Sequence, residues 1–202
     1  MNLHHRDMTA PLIVGIGGTP KVNSSSEIAV RQALEMAEAS GARTRLFNGP
    51  ALMMPLYDPS LAERDDKARE LVSALRQATG VIIASPAYHG SISGLLKNAL
   101  DYTEDMRDDD APYLDGRAVG CIACAAGWQA ASTTLVTLRS IVHALRGWNV
   151  PLGVAINTTT GATHDGAVAS ADVERALATM VEQIMRFCMS GFAPSEAGRA
   201  GA

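Results

Sequence analysis

Ten residues near the start of the chain, Gly17-Gly18-Thr19-Pro20-Lys21-Val22-Asn23-Ser24-Ser25-Ser26, join a glycine turn, one cation and a run of hydroxyls. The apolar run Pro11 to Ile16 precedes them and an amphipathic pattern follows, which puts them between a strand and the start of a helix. A turn of this make suits a phosphate monoester: free amides and the helix dipole face the anion, hydroxyls donate to it, and Lys21 adds a charge. Two commoner phosphate motifs fail. A dinucleotide fingerprint needs glycine where Pro20 stands and an acidic residue after the second strand, where Asn48 sits. A Walker loop needs glycine before Lys21 and serine or threonine after it, and the chain has Pro20 and Val22. Taken alone, the segment reads equally well as a serine-capped helix after a tight turn. Glu27 opposes a dianion unless its carboxylate turns away towards the cap.

Other chemistry-bearing residues have plainer readings. Cys121 and Cys124 stand three apart on an apolar run, where a strand points them to opposite faces, so packing explains them better than redox pairing. His143 reads as a core or interface residue, and Met53 and Met54 as core filling. Glu104 to Asp115 reads as a solvated acidic loop rather than a metal site. No acid–base pair stands out. Trp128 invites a functional reading more than Trp148, because it follows a loop at the end of a strand.

The elements that must position these residues alternate along the chain. Short apolar runs at Pro11 to Ile16, Thr44 to Phe47, Val81 to Ala84, Ala118 to Cys124 and Val154 to Ile156 predict five strands. Helical patterns fall between and after them. One starts at Ser24, which has capping-box spacing with Glu27; others span Leu61 to Ala78 and the segment around Leu95 to Leu100. A fourth carries Leu135, Leu138, Val142 and Leu145 on one stripe, and a fifth opens near Ser170 or Asp172. This order predicts an α/β fold with a doubly wound parallel sheet covered on both faces. Ligands on such sheets sit outside the carboxyl ends of the strands, at the switch point, which directs attention to the loops after the first, third and fourth strands.

At 202 residues the chain suits one domain, expected over 11–190, with a flexible tail at 1–10 and a disordered one at 191–202. The net charge of −4 and the lack of a basic run argue against nucleic acid. The uncharged stretch Ala118 to Leu138 is broken by Gly127, Gln129 and three hydroxyl residues, so it reads as strand, loop and helix rather than a membrane span. With no secretory signal and an odd cysteine count, the chain reads as cytoplasmic.

The second of these loops makes the reading specific. Ser85-Pro86-Ala87-Tyr88-His89-Gly90-Ser91-Ile92-Ser93-Gly94 runs into Leu95-Leu96-Lys97-Asn98-Ala99-Leu100-Asp101. It resembles the NADPH-dependent FMN reductase family, which writes proline, an aromatic residue, a small polar pair and Gly-Ser before Leu-Lys-Asn-Ala-Leu-Asp. Gly18-Thr19-Pro20-Lys21 and Ser24 resemble that family's first loop, and the likeness covers roughly Leu12 to Thr158. The resemblance implies a flavodoxin-like sheet of strand order 2-1-3-4-5, FMN as cofactor, and NADPH or NADH as hydride donor. It implies that Thr19, Lys21, Ser24 and Ser26 hold the FMN phosphate. It implies further that Pro86, Ala87, Tyr88, His89, Gly90 and Ser91 follow the ring and ribityl chain. Cys124, Ala125, Ala126, Gly127 and Trp128 would meet the pyrimidine end. Lys21 departs from the usual arginine and loses a bidentate fork. Ala125 and Ala126 replace glycines, which requires negative φ there. His89 stands where asparagine is common.

The same resemblance implies a homodimer or homotetramer, and leaves two fates for the reduced flavin. Reduced FMN leaves for a flavin-dependent monooxygenase, as the likeness to reductases serving alkanesulfonate monooxygenases suggests. Otherwise FMN stays bound and reduces quinones, azo compounds or chromate. The rival from another class is a flavodoxin-type electron carrier without nicotinamide activity.

Overall fold

The computed structural model describes residues 10–164 and 166–190; the expected tails at 1–10 and 191–202 lie outside them, Ala10 excepted. Six parallel strands form the main sheet: β1 (Leu12–Gly17), β2 (Arg43–Phe47), β3 (Gly80–Pro86), β4 (Ala118–Ala125), β5 (Trp148–Asn149) and β6 (Val154–Asn157). Their order is β2-β1-β3-β4, with β5 and β6 both paired to β4. That is the expected 2-1-3-4-5 arrangement with its fifth position split in two. Val150 still donates to Val119 at 3.0 Å, but Pro151 has no N–H, and the Leu152 amide turns instead to the Gln183 side chain at 2.9 Å. A small hairpin, β7 (Thr163–His164) with β8 (Ala167–Val168), follows β6.

Five helices cover the sheet: α1 (Ser25–Ala39), α2 (Asp66–Gln77), α3 (Gly94–Asp101), α4 (Trp128–Ala144) and α5 (Ala171–Met189). Alternation along each strand sorts the core into two layers. Val14, Ile16, Val81, Ile83, Val119 and Cys121 face α2, α3 and α4, while Ile13, Ile82, Ala84, Ile122 and Cys124 face α1 and α5. Each buried Ile or Leu is worth about 1.5–3 kcal/mol. α2 begins at Asp66, five residues later than the sequence pattern suggests, because the Asp65 side chain caps it by accepting from the Lys67 amide at 2.8 Å. Ser170 caps α5, at the expected place. The acidic segment is less solvated than expected: Arg64 grips Asp105 through two bonds of 2.8 and 2.9 Å, and Arg76 pairs with Asp109 at 2.8 Å.

Candidate functional site

Because the strands are parallel, the loops after β1, β3 and β4 emerge at one edge of the sheet. Register places Gly17 beside Ala84 and Pro86 beside Cys124. Hydrogen bonds then tie the loops together. The Gly18 amide donates to Ala84 at 2.8 Å, and the Ala87 amide to Cys124 at 2.8 Å. The Ser93 hydroxyl donates to the Gly18 carbonyl and accepts from the Leu96 amide at 3.1 Å, so one side chain caps α3 and braces the first loop. Gly18 has no room for more. A Cβ there would lie 2.9 Å from the Ala84 oxygen.

The first loop ends in the cap of α1. The Ser24 hydroxyl accepts from the Glu27 amide at 3.2 Å and lies 3.3 Å from the Ser26 hydroxyl. The Thr19 hydroxyl accepts from the Lys21 amide at 3.2 Å. Thr19 and Ser26 are buried, Ser24 is half-buried and Lys21 is exposed. Among the described residues, no carboxylate pairs with Lys21 and nothing accepts from the Ser25 and Ser26 amides, two of the four that a helix start leaves free. Glu27 departs from the box its spacing suggests. Its carboxylate accepts from the Asn23 amide at 3.0 Å rather than from Ser24, and binds Arg31 at 2.6 Å.

The second loop reverses over two residues. Tyr88 and Ser91 exchange backbone bonds of 3.0 and 3.1 Å, with His89 and Gly90 between them at φ 52° and 85°. Positive φ at both centres is the geometry that matches strand twist, and it explains why asparagine suits the His89 position. A Cβ on Gly90 or on Gly127 would meet nothing within 4 Å, so both backbones border open space. Tyr88 is 53% and Trp128 56% exposed, unusual for rings of this size.

In the third loop Ala125 and Ala126 keep negative φ, and Gly127 takes φ 143° as it caps α4. The Cys124 thiol is buried and burial pushes it up to about 12; Cys121, on the opposite face, is pushed to about 12 by burial against a smaller opposing pull from Arg139. Met54 packs on the core, as expected, while Met53 is exposed. Trp148 leans on Phe187 with ring centres 5.7 Å apart, far along the chain from these loops.

Sequence reading assigned no role to three residues that hold this edge together. Ser93 is one. Asn98 is another: its side chain accepts from the Tyr57 amide at 2.8 Å and donates to the Pro55 carbonyl at 2.9 Å, fixing the segment before Asp58. Asn157, at the end of β6, accepts from the Thr159 amide at 3.1 Å. The three-residue spacing of Ser93 and Leu96 could have revealed the first, and the Asn157 turn is just as local; Asn98 alone depends on contacts distant in sequence. A separate groove of about 630 Å³, lined by Met36, Val181, Met185 and Met189, lies where α1 and α5 end, away from the three loops.

Residues 11–161 match the pattern of the NADPH-dependent FMN reductases. The chain belongs to that family. It is 30% identical over 178 residues to an FMN-dependent NADPH-azoreductase of Staphylococcus aureus, an alignment covering 84% of this chain and 91% of the relative. Among solved structures, an apo NADH:FMN oxidoreductase shares 24% identity at TM-score 0.66, with 94% of each chain covered. A flavoenzyme NAD(P)H:(acceptor) oxidoreductase from Paracoccus denitrificans shares 17% at TM-score 0.72, covering 90% of this chain and 98% of that one. The flavodoxin-like fold expected of a family member is thus present, and its activity class is that of the NAD(P)H-dependent flavin oxidoreductases. Among the described residues no helix is long and apolar enough to cross a membrane, and no cluster of metal-binding side chains occurs.

Proposed function

We propose that this FMN reductase seats FMN across the three loops and draws reducing equivalents from NADPH or NADH. The observation that carries the reading is the start of α1, where the Ser25 and Ser26 amides meet no acceptor among the described residues and stand with the hydroxyls of Thr19, Ser24 and Ser26 and the exposed Lys21, at the sheet edge from which the loops bearing Gly90 and Gly127 also emerge. That donor set fits a phosphate monoester, and the exposed Tyr88 and Trp128 fit a flat ring system. Bound FMN supplies the hydride-accepting centre. The chain's own residues do the rest. Thr19, Lys21, Ser24 and Ser26 hold the phosphate. Pro86, Ala87, Tyr88, His89, Gly90 and Ser91 line the ring and ribityl chain, mostly through backbone. Cys124, Ala125, Ala126, Gly127 and Trp128 frame the pyrimidine end, with the Cys124 carbonyl already accepting from Ala87.

Two fates for the reduced flavin remain within this proposal. Release to a monooxygenase follows from the likeness of the first loop to reductases that serve such partners. Retention, with azo compounds or quinones as acceptors, is favoured by the name of the 30%-identical relative. The protein acts in the cytoplasm as a homodimer or homotetramer in either case.

Titration with FMN and riboflavin tests the site. FMN should bind much more tightly, and Lys21→Ala and Ser24→Ala should each weaken it by about 1–3 kcal/mol, the range for charge-assisted hydrogen bonds. Equal affinity for the two flavins would sink the phosphate-loop assignment. Anaerobic mixing of FMN-loaded protein with excess NADPH or NADH should bleach the flavin absorbance, and turnover with added FMN or a quinone should continue without a second protein. Protein that binds flavin yet is reduced by neither nicotinamide would be an electron carrier.

A further inference from the structure

Glu27 is an awkward residue at a phosphate site. It stands in the first turn of α1, its side chain is only 6% exposed, and the dianion assigned to this helix start would meet its charge at close quarters. Two contacts account for it. One carboxylate oxygen accepts from the backbone amide of Asn23, which sits at φ 55°, a left-handed conformation that non-glycine residues adopt at a cost. The other oxygen binds the Arg31 guanidinium, whose same nitrogen donates to the Asn23 side-chain oxygen at 3.2 Å. Three side chains therefore close a ring around the last turn of the loop. Glu27 still gives its own amide to Ser24, so the cap and the ring are separate devices.

We infer that Glu27 and Arg31 are a positioning pair for the phosphate loop, the carboxylate fixing Asn23 in its left-handed turn and the guanidinium cancelling the charge that would repel the phosphate. The inference rests on the phosphate assignment made above. It reverses the sign that the charge alone predicts. If Glu27 acted only as a nearby negative charge, removing it would tighten FMN. As the anchor of the loop, its removal loosens FMN although the repulsion disappears.

The ratio of riboflavin to FMN dissociation constants, measured by fluorescence titration of the full chain, isolates the effect, because riboflavin uses the ring loops and lacks the phosphate. Glu27→Ala should lower that ratio by about tenfold, the loss expected for one hydrogen bond to a charged group. Glu27→Gln keeps an acceptor for the Asn23 amide and should hold more of the ratio than Glu27→Ala. Arg31→Met leaves the buried carboxylate bare; it should also lower the ratio, and raising the salt concentration should recover part of the loss. A ratio that rises or stays constant in Glu27→Ala, or an Arg31→Met ratio equal to wild type, overturns the pair while leaving the phosphate assignment standing. If Glu27→Ala does not fold, Glu27→Gln decides: a ratio above that of the wild type overturns the pair. A wild-type ratio near one overturns both.

Discussion

Cys121 and Cys124 are held neutral by their surroundings, and that has consequences at two pH ranges. Burial raises both thiols from 9.0 to about 12, so almost no thiolate exists near neutrality. Iodoacetamide at pH 8 should label neither in the native protein and both after denaturation, as mass spectrometry would show. The same shift has a stability sign. Folding favours the protonated thiols, so their contribution is intact below pH 9 and is lost as pH climbs from 9 towards 12, by about 1 kcal/mol per pH unit for each thiol. A midpoint in urea that does not fall across that interval, with cysteine titration followed separately, would count against the neutral-thiol account. Gly90 carries a different kind of constraint. Nothing crowds it, yet its φ of 85° strains any other residue, so Gly90→Ala should cost about 1–2 kcal/mol in urea unfolding through the backbone alone.

At the scale of elements, the serine that caps α3 also braces the loop after β1. Ser93→Ala should cost about 1 kcal/mol from the lost cap and should weaken FMN as well, since Gly18 loses its only side-chain brace among the described residues. Chemical unfolding and FMN titration on one preparation separate the two effects; a stability loss with unchanged FMN affinity would deny the brace a role in the site. The elements themselves were largely legible because their signals are local. Leu71, Val72 and Leu75 repeat at helical spacing, and Val81 to Ala84 is apolar throughout, so both are visible in a short window. The Tyr88 to Ser91 reversal was not, because Tyr-His-Gly-Ser lacks the Asn-Gly pair that marks such turns. The Glu27 contact with Asn23 was not legible either, since it follows from a positive φ that no residue pattern announces. β5 is two residues long and carries no periodicity at all.

For the whole molecule, the sheet order was legible from alternation and family likeness together, while the break at Pro151 and the β7–β8 hairpin were unforeseen. The outer side of α4 presents Trp128, Gln129, Ser132, Thr133 and Val136, none of them charged, and Val136 is 69% exposed. Leu138 and Val142 are consumed by the chain's own core, so they cannot serve as contact residues. A homodimer or homotetramer using this uncharged side should appear in light scattering at micromolar concentration, and Val136→Glu should shift it towards monomer. A wild-type monomer would argue against assembly through α4.

The reversal between Tyr88 and Ser91 closes on itself through two backbone bonds that owe nothing to a ligand. Its ordering entropy is therefore spent during folding rather than at the encounter with flavin, which leaves more of the contact energy as affinity. Hydrogen exchange at the Tyr88 and Ser91 amides should then be slow in flavin-free protein and change little on loading. FMN association should consequently follow a single step whose rate rises linearly with concentration, without the plateau of a loop that must first find its shape.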